Sequence, residues 1–273
     1  MPDIAVITFH GMGETKRNYA YELFSRLENK LSPETLANIH FDSVYYQDIL
    51  QTNQERYFDE AKDLIDWKKL RRFMLYGFCD ASSLETMKDK DNSPYLVSQR
   101  RIFDALSLAY DVVGKDGKVV LLAQSLGGQV ISNYLWDAGK YKAVEAHPNY
   151  GVWAEQHLDP TLSKDKEAFL KGGSVKYLVT TGCNIPLFVA GRDKEDISPI
   201  SRPSTGFKWE NYYDEDDILG WPLEPLSSAY KRLVTDHPIN SGGILTSWNP
   251  LSHNQYWTDT TFLNAFVRIL ESL

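Results

Sequence analysis

Residues Lys118–Ala123 read KVVLLA, apolar without a break after the first residue. A strand with one wet face alternates apolar and polar residues, so a strand that does not alternate must be covered on both faces. Such strands lie inside parallel sheets, and parallel neighbours need a crossover long enough for a helix. This run therefore restricts the chain to an α/β arrangement more tightly than any other stretch. IAVITF (Ile4–Phe9) has the same character. IHFDSVYY (Ile39–Tyr46), VKYLVTTG (Val175–Gly182), KWENYY (Lys208–Tyr213) and GILTSW (Gly243–Trp248) are further strand candidates. Helical patterns fall between them at Asn18–Lys30, Ser98–Val113 and about Leu126–Ala138, and an amphipathic helix closes the chain over Thr258–Leu273. Strands alternating with helices predict a mostly parallel sheet flanked by helices. Residues 48–92 are polar, aromatic and helix-prone, and too long for a simple crossover, so they read as a helical insertion. No linker marks a boundary, and DISPISRPSTG (Asp196–Gly206) reads as a long loop, so the 273 residues are expected to form a single domain.

The end of the KVVLLA run is unusual. Gln124, Ser125 and Leu126 come at once, then Gly127 and Gly128, then more apolar residues. This is either an ordinary turn or a strained strand-to-helix turn that holds a serine up as a nucleophile. The second needs small residues two before and two after the serine, because strand and helix pass close together. Ala123 and Gly127 meet that need. The next helix would aim its positive end at Ser125, and the Leu126 N–H is placed to meet an oxyanion. A second feature is TFHGMGE (Thr8–Glu14), where a strand ends in His10-Gly11. Such a loop can supply a second oxyanion donor, here the Met12 N–H, with Gly11 letting the chain turn. The same residues lack the spacing of a phosphate loop and the third glycine of a dinucleotide fingerprint.

FHGMG, LLAQSLGG, an acid after a late strand and a histidine near the C-terminus together resemble the α/β-hydrolase superfamily, its serine esterases and lipases in particular. The resemblance runs in order along nearly the whole chain. It implies a Ser-His-Asp triad in the chain order serine, acid, histidine. The sequence departs from the common pattern at Ala123, usually glycine, and at Gln124, where a histidine is frequent. The His-Gly loop usually follows the third strand of that fold. Here it comes after residue 9, which implies a sheet of about six strands, trimmed at its N-terminal end.

Four histidines come after the serine: His147, His157, His237 and His253. His253, in NPLSHNQYW, lies between GILTSW and the final helix and fits the base best. His237 precedes that strand candidate and is the alternative. The acid is expected after KWENYY, in NYYDEDDILGWPL, which offers Asp214, Glu215, Asp216 and Asp217. The family commonly has a small or polar residue three before the acid and an aliphatic pair soon after. Asp217 fits with Asp214 in the earlier position, and Asp216 fits if the register slips by one.

The expected chemistry is acyl transfer to water through an acyl-enzyme, with a small acyl compound as substrate and no cofactor. An acyltransferase, or a non-catalytic relative that binds a ligand, are the alternatives on the same scaffold. No HExxH, paired Cys/His or calcium-loop pattern suggests a metal. A net charge of −8 and a pI near 5.3 disfavour nucleic acid and anionic membranes as partners. Cys79 and Cys183 stand far apart, which suits a reducing, cytoplasmic setting. The first residues, MPDIAVITFHG, do not read as a secretory signal, and no stretch approaches the roughly 20 apolar residues of a membrane span. Substrate choice is expected in the insertion and in NIPLF (Asn184–Phe188). Tyr57, Phe58, Trp67, Phe73, Tyr76 and Phe78 would line an apolar pocket or pack beneath the insertion.

Overall fold

Along the chain the elements are β1 (Ile4–Phe9), α1 (Tyr21–Glu28), α2 (Pro33–Ala37), β2 (Ile39–Val44), α3 (Asp48–Ala61), α4 (Lys68–Ser83), α5 (Pro94–Val113), β3 (Lys118–Gln124), α6 (Leu126–Lys140), α7 (Lys164–Ala168), β4 (Val175–Thr181), α8 (Pro186–Val189), β5 (Lys208–Asp214), α9 (Ser228–Leu233), β6 (Val234–Ile239) and α10 (Thr260–Glu271). The computed structural model describes residues 2–86, 88, 90–140, 151–154, 157, 159–241, 253 and 255–273. All six strands join one sheet in the order β2-β1-β3-β4-β5-β6, and every neighbouring pair is parallel.

The unbroken apolar runs find cover on both faces. Val119, Leu121 and Ala123 of β3, with Ala5, Ile7 and Phe9 of β1, pack under α5 and α6 against Ile102, Leu106, Val130 and Ile131. Val120 and Leu122, with Ile4 and Val6, face the other way. They meet Leu23 and Leu27 of α1 and Phe262 and Phe266 of α10. Each Val, Leu, Ile or Phe among them that is taken from water stabilises the fold by about 1.5–3 kcal/mol. Asp259 caps α10 by accepting the Phe262 N–H at 2.8 Å, and Ser93 caps α5 through the Leu96 N–H at 3.2 Å.

The last described strand is not one of the sequence candidates. β6, VTDHPI, carries Asp236, His237 and Pro238, a poor strand composition, but among the described residues it is the outer strand of the sheet, where proline is tolerated. GILTSW and His147 lie outside the described residues. The insertion is helical, as expected, but its aromatics divide. Phe58 and Tyr76 are buried, whereas Tyr57, Trp67, Phe73 and Phe78 are exposed. Two helices with one layer of protein beneath them have only one face each to bury. The buried face of α4 carries Tyr76, Gly77, Asp80 and Ala81 and meets the loop after β1. A Cβ at Gly77 would stand 2.8 Å from the Met12 Sδ. Among the described residues no helix is long and apolar enough to cross a membrane.

Candidate active site

Parallel strands in one sheet bring their carboxyl ends to a common edge. Ser125 follows β3 there, and its backbone is left-handed, with φ +52°. A side chain pays for that conformation in steric strain, and such residues persist where the surroundings enforce them. Here the Ser125 N–H is tied to the Thr181 carbonyl at the end of β4 (2.9 Å), and its carbonyl accepts the Gly128 N–H (3.0 Å). Gly127 has no room to be anything larger. A Cβ there would come within 2.7 Å of the carbonyl oxygens of Phe9 and His10. The turn and the loop after β1 are thus pressed together. A Cβ on Gly11 would lie 2.9 Å from the Ser125 Cβ.

His10 organises that loop from below. Its ring is buried, stacked on Tyr46 at 3.9 Å, and burial pushes its pKa down to about 4. Nε2 accepts the Tyr46 N–H (3.1 Å), which leaves the proton of the neutral ring on Nδ1, donated to the Gly11 carbonyl (2.8 Å). In a trans peptide the carbonyl and the next N–H point opposite ways. With the Gly11 carbonyl turned to His10, the Met12 N–H points away from it. Farther along, the Gly13 N–H donates to Asp80 Oδ2 on α4 (2.8 Å), and Gln47 and Gln54 also donate to that carboxylate. The Leu126 N–H lies in the first turn of α6, where backbone donors have no partner within the helix.

The acid and the histidine meet at the end of β5. His253 Nδ1 lies 2.7 Å from Asp217 Oδ2, and both side chains are buried. Asp217 also accepts the Leu219 N–H at Oδ1 (2.9 Å) and the Tyr256 hydroxyl at Oδ2 (2.8 Å). Burial by itself would raise this carboxyl. The hydrogen bond and charge of His253, with the Leu219 N–H and Tyr256, hold it below the usual carboxylate range instead. The Tyr256 oxygen in turn accepts the Asp214 N–H (2.9 Å), and the Asp214 carboxylate holds the N–H and hydroxyl of Ser241. Asp216, the alternative acid, is exposed. His237, the alternative base, sits on β6 bonded to Glu210 (2.7 Å) and stacked on Tyr212.

Two contacts tie the histidine's surroundings to the serine's. Gln124 Nε2 donates to the His253 carbonyl (2.7 Å), so the residue that stands where histidine is frequent anchors His253 itself. A Cβ on Gly182, after β4, would lie 3.1 Å from both His253 Cε1 and Asp217 Oδ2. Ser125 Oγ and His253 Nε2 are both buried and have no hydrogen-bond partner among the described residues, each other included. Such bonds are often long in free enzymes and tighten with substrate. Tyr256 and Asp80 carry no motif and are not anticipated in the sequence. The one signal for Asp80 is an acid on the buried face of α4. Among the described residues no group of His, Cys, Asp or Glu is arranged to hold a metal ion.

No protein-family model matches the sequence, and no curated protein matches it. Among solved structures the chain is similar to an iodinated complex of an acetyl xylan esterase at 13% identity, covering 100% of this chain and 98% of that one, with a TM-score of 0.45. It is similar to the catalytic core domain of acetyl xylan esterase from Trichoderma reesei at 12% identity, covering 99% and 98%, with a TM-score of 0.43. A putative YdeN-like hydrolase from Pectobacterium atrosepticum is 9% identical, covering 99% and 92%, with a TM-score of 0.39. Six parallel strands in the order β2-β1-β3-β4-β5-β6, with helices packed on both faces and a left-handed serine between β3 and α6, give this chain a three-layer α/β fold.

Proposed function

We propose that the chain is a serine hydrolase that cleaves a carboxylic ester, or a related acyl bond, with Ser125 as nucleophile, His253 as base and Asp217 as its partner. One observation carries the reading. The strained Ser125 and the carboxylate-bound His253 each keep one buried side-chain atom, Oγ and Nε2, without a partner among the described residues. With its Nδ1 proton given to Asp217, a neutral imidazole has its lone pair on Nε2, the atom that must take a proton.

In this mechanism Ser125 Oγ bonds to the carbonyl carbon as its proton passes to His253 Nε2. The carbonyl oxygen becomes an oxyanion and takes hydrogen bonds from the Met12 and Leu126 N–H groups. Asp217 offsets the charge that develops on the ring. The intermediate collapses, the alcohol leaves with the proton from His253, and the acyl group stays on Ser125. Water then attacks, His253 takes its proton, and the acid is released with Ser125 restored. No step calls for a cofactor. A panel of p-nitrophenyl esters of graded chain length, run on wild type and Ser125→Ala, tests the reading. Turnover that disappears in a folded Ser125→Ala supports it, and unchanged turnover removes Ser125 from the reaction.

A further inference from the structure

Asn184 is fully buried, and neither its Oδ1 nor its Nδ2 has a hydrogen-bond partner among the described residues. A buried polar group left without a partner destabilises the fold, so a carboxamide with both ends unpaired is a liability that a folded chain rarely keeps without use. The backbone around it is fixed. The Cys183 carbonyl accepts the Trp221 N–H (3.0 Å), and the Asn184 carbonyl accepts the Leu187 N–H (2.9 Å).

Its place in the fold is the second observation. Asn184 lies three residues beyond Thr181, the end of β4, and Thr181 pairs with Gln124 beside the serine. The two residues before it in the loop touch the site. Gly182 abuts His253 and Asp217, and the Cys183 Sγ stands 2.8 Å from where a Cβ of Gly128 would be. At this edge of the sheet the unpartnered buried atoms among the described residues include Ser125 Oγ, His253 Nε2 and the two ends of Asn184. The first two await a reacting group, and the same logic applies to the third side chain.

We infer that Asn184 is a specificity-determining residue: its carboxamide binds an oxygen of the substrate beside the scissile bond, so the enzyme favours esters carrying a hydroxyl next to that bond over purely alkyl esters. The inference rests on Ser125 acting as nucleophile. A carboxamide both donates and accepts, and a hydroxyl can answer either end. A site built to bond a substrate hydroxyl rejects the analogue without one far more strongly than an apolar pocket separates two alkyl groups.

The test uses two pairs matched in shape. Ethyl lactate against ethyl isobutyrate places the hydroxyl on the acyl side, and 2-hydroxyethyl butyrate against propyl butyrate places it on the alcohol side. Wild type should prefer the hydroxyl member of one pair. Asn184→Leu, of similar size, should lower kcat/KM for that member by about a hundredfold and leave the alkyl member within about threefold. Without ligand, the variant should melt at the same temperature as wild type or higher, because it buries no unpaired carboxamide. Equal losses on both members of the pair, or a lower melting temperature, would make Asn184 structural and overturn the inference. Ser125 labelled by a fluorophosphonate with no hydroxyl preference in wild type sinks this inference alone. Absence of labelling and of turnover sinks it together with the proposed function.

Discussion

Two buried carboxylates stand on either side of Ser125, Asp217 through His253 and Asp80 through the Gly13 N–H, with exposures of 6% and 1%. Burial is the largest influence on each and would raise both. Asp217 is nonetheless held below the ordinary carboxylate range by the hydrogen bond and charge of His253, helped by the Leu219 N–H and Tyr256. Asp80 is raised, because Gln54, the Gly13 N–H and Gln47 are neutral and only partly offset its burial. Depth sets the cost of the charge, and the partner decides whether the charge is kept. In the proposed mechanism the first carboxylate faces an imidazolium during turnover, while the second fixes a loop.

The largest effect should come from Asp217→Asn. By the logic of such triads kcat should fall by about a thousandfold or more, since the amide no longer favours the imidazolium or the required tautomer. A steady-state assay that finds kcat within tenfold of wild type would contradict the role of Asp217. Tyr256→Phe should be intermediate. It removes the hydroxyl that donates to Asp217 and accepts the Asp214 N–H, at a cost of about 1–3 kcal/mol in stability by chemical denaturation and about tenfold in kcat. Asp80→Asn should be mildest in rate, about tenfold or less, because it acts only through the position of the loop.

The two carboxylates should also part in their pH dependence. A lowered carboxyl contributes stability that is present above its unfolded value and is lost as pH falls through its folded value, so Asp217 should weaken the fold in acid. A raised carboxyl does the reverse. Asp80 weakens the fold above its raised value and stops doing so as pH falls towards its unfolded value. In thermal melts, Asp80→Asn should therefore gain on wild type at neutral pH and lose that advantage on acidification. A constant difference across pH would mean that Asp80 is not raised.

Much of this arrangement is legible in the sequence, for identifiable reasons. KVVLLA and IAVITF state the parallel sheet because strands covered on both faces cannot alternate. Ala123 and Gly127 mark the turn, and at Gly127 the Phe9 and His10 carbonyls leave no room for a side chain. The choice between Asp216 and Asp217 is not legible, since one residue of register in a tight turn decides which faces His253. β6 is hidden by Asp236, a poor strand former, and by Pro238, which suits the outer place β6 takes among the described strands. Tyr256 is hidden because an aromatic residue near a C-terminal helix reads as packing, and nothing local says that its hydroxyl joins Asp214 to Asp217.

In the proposed mechanism Asp217, through His253, activates Ser125, while Asp80 only holds the neighbouring loop. The rate of labelling by a fluorophosphonate, followed by intact mass and peptide mapping, tests it most directly because it needs no knowledge of the substrate. Wild type should take up one equivalent, on Ser125. The labelling rate should fall by about a hundredfold or more in Asp217→Asn and stay within about tenfold in Asp80→Asn. Label on another residue, or equal rates in wild type and Asp217→Asn, would contradict the account.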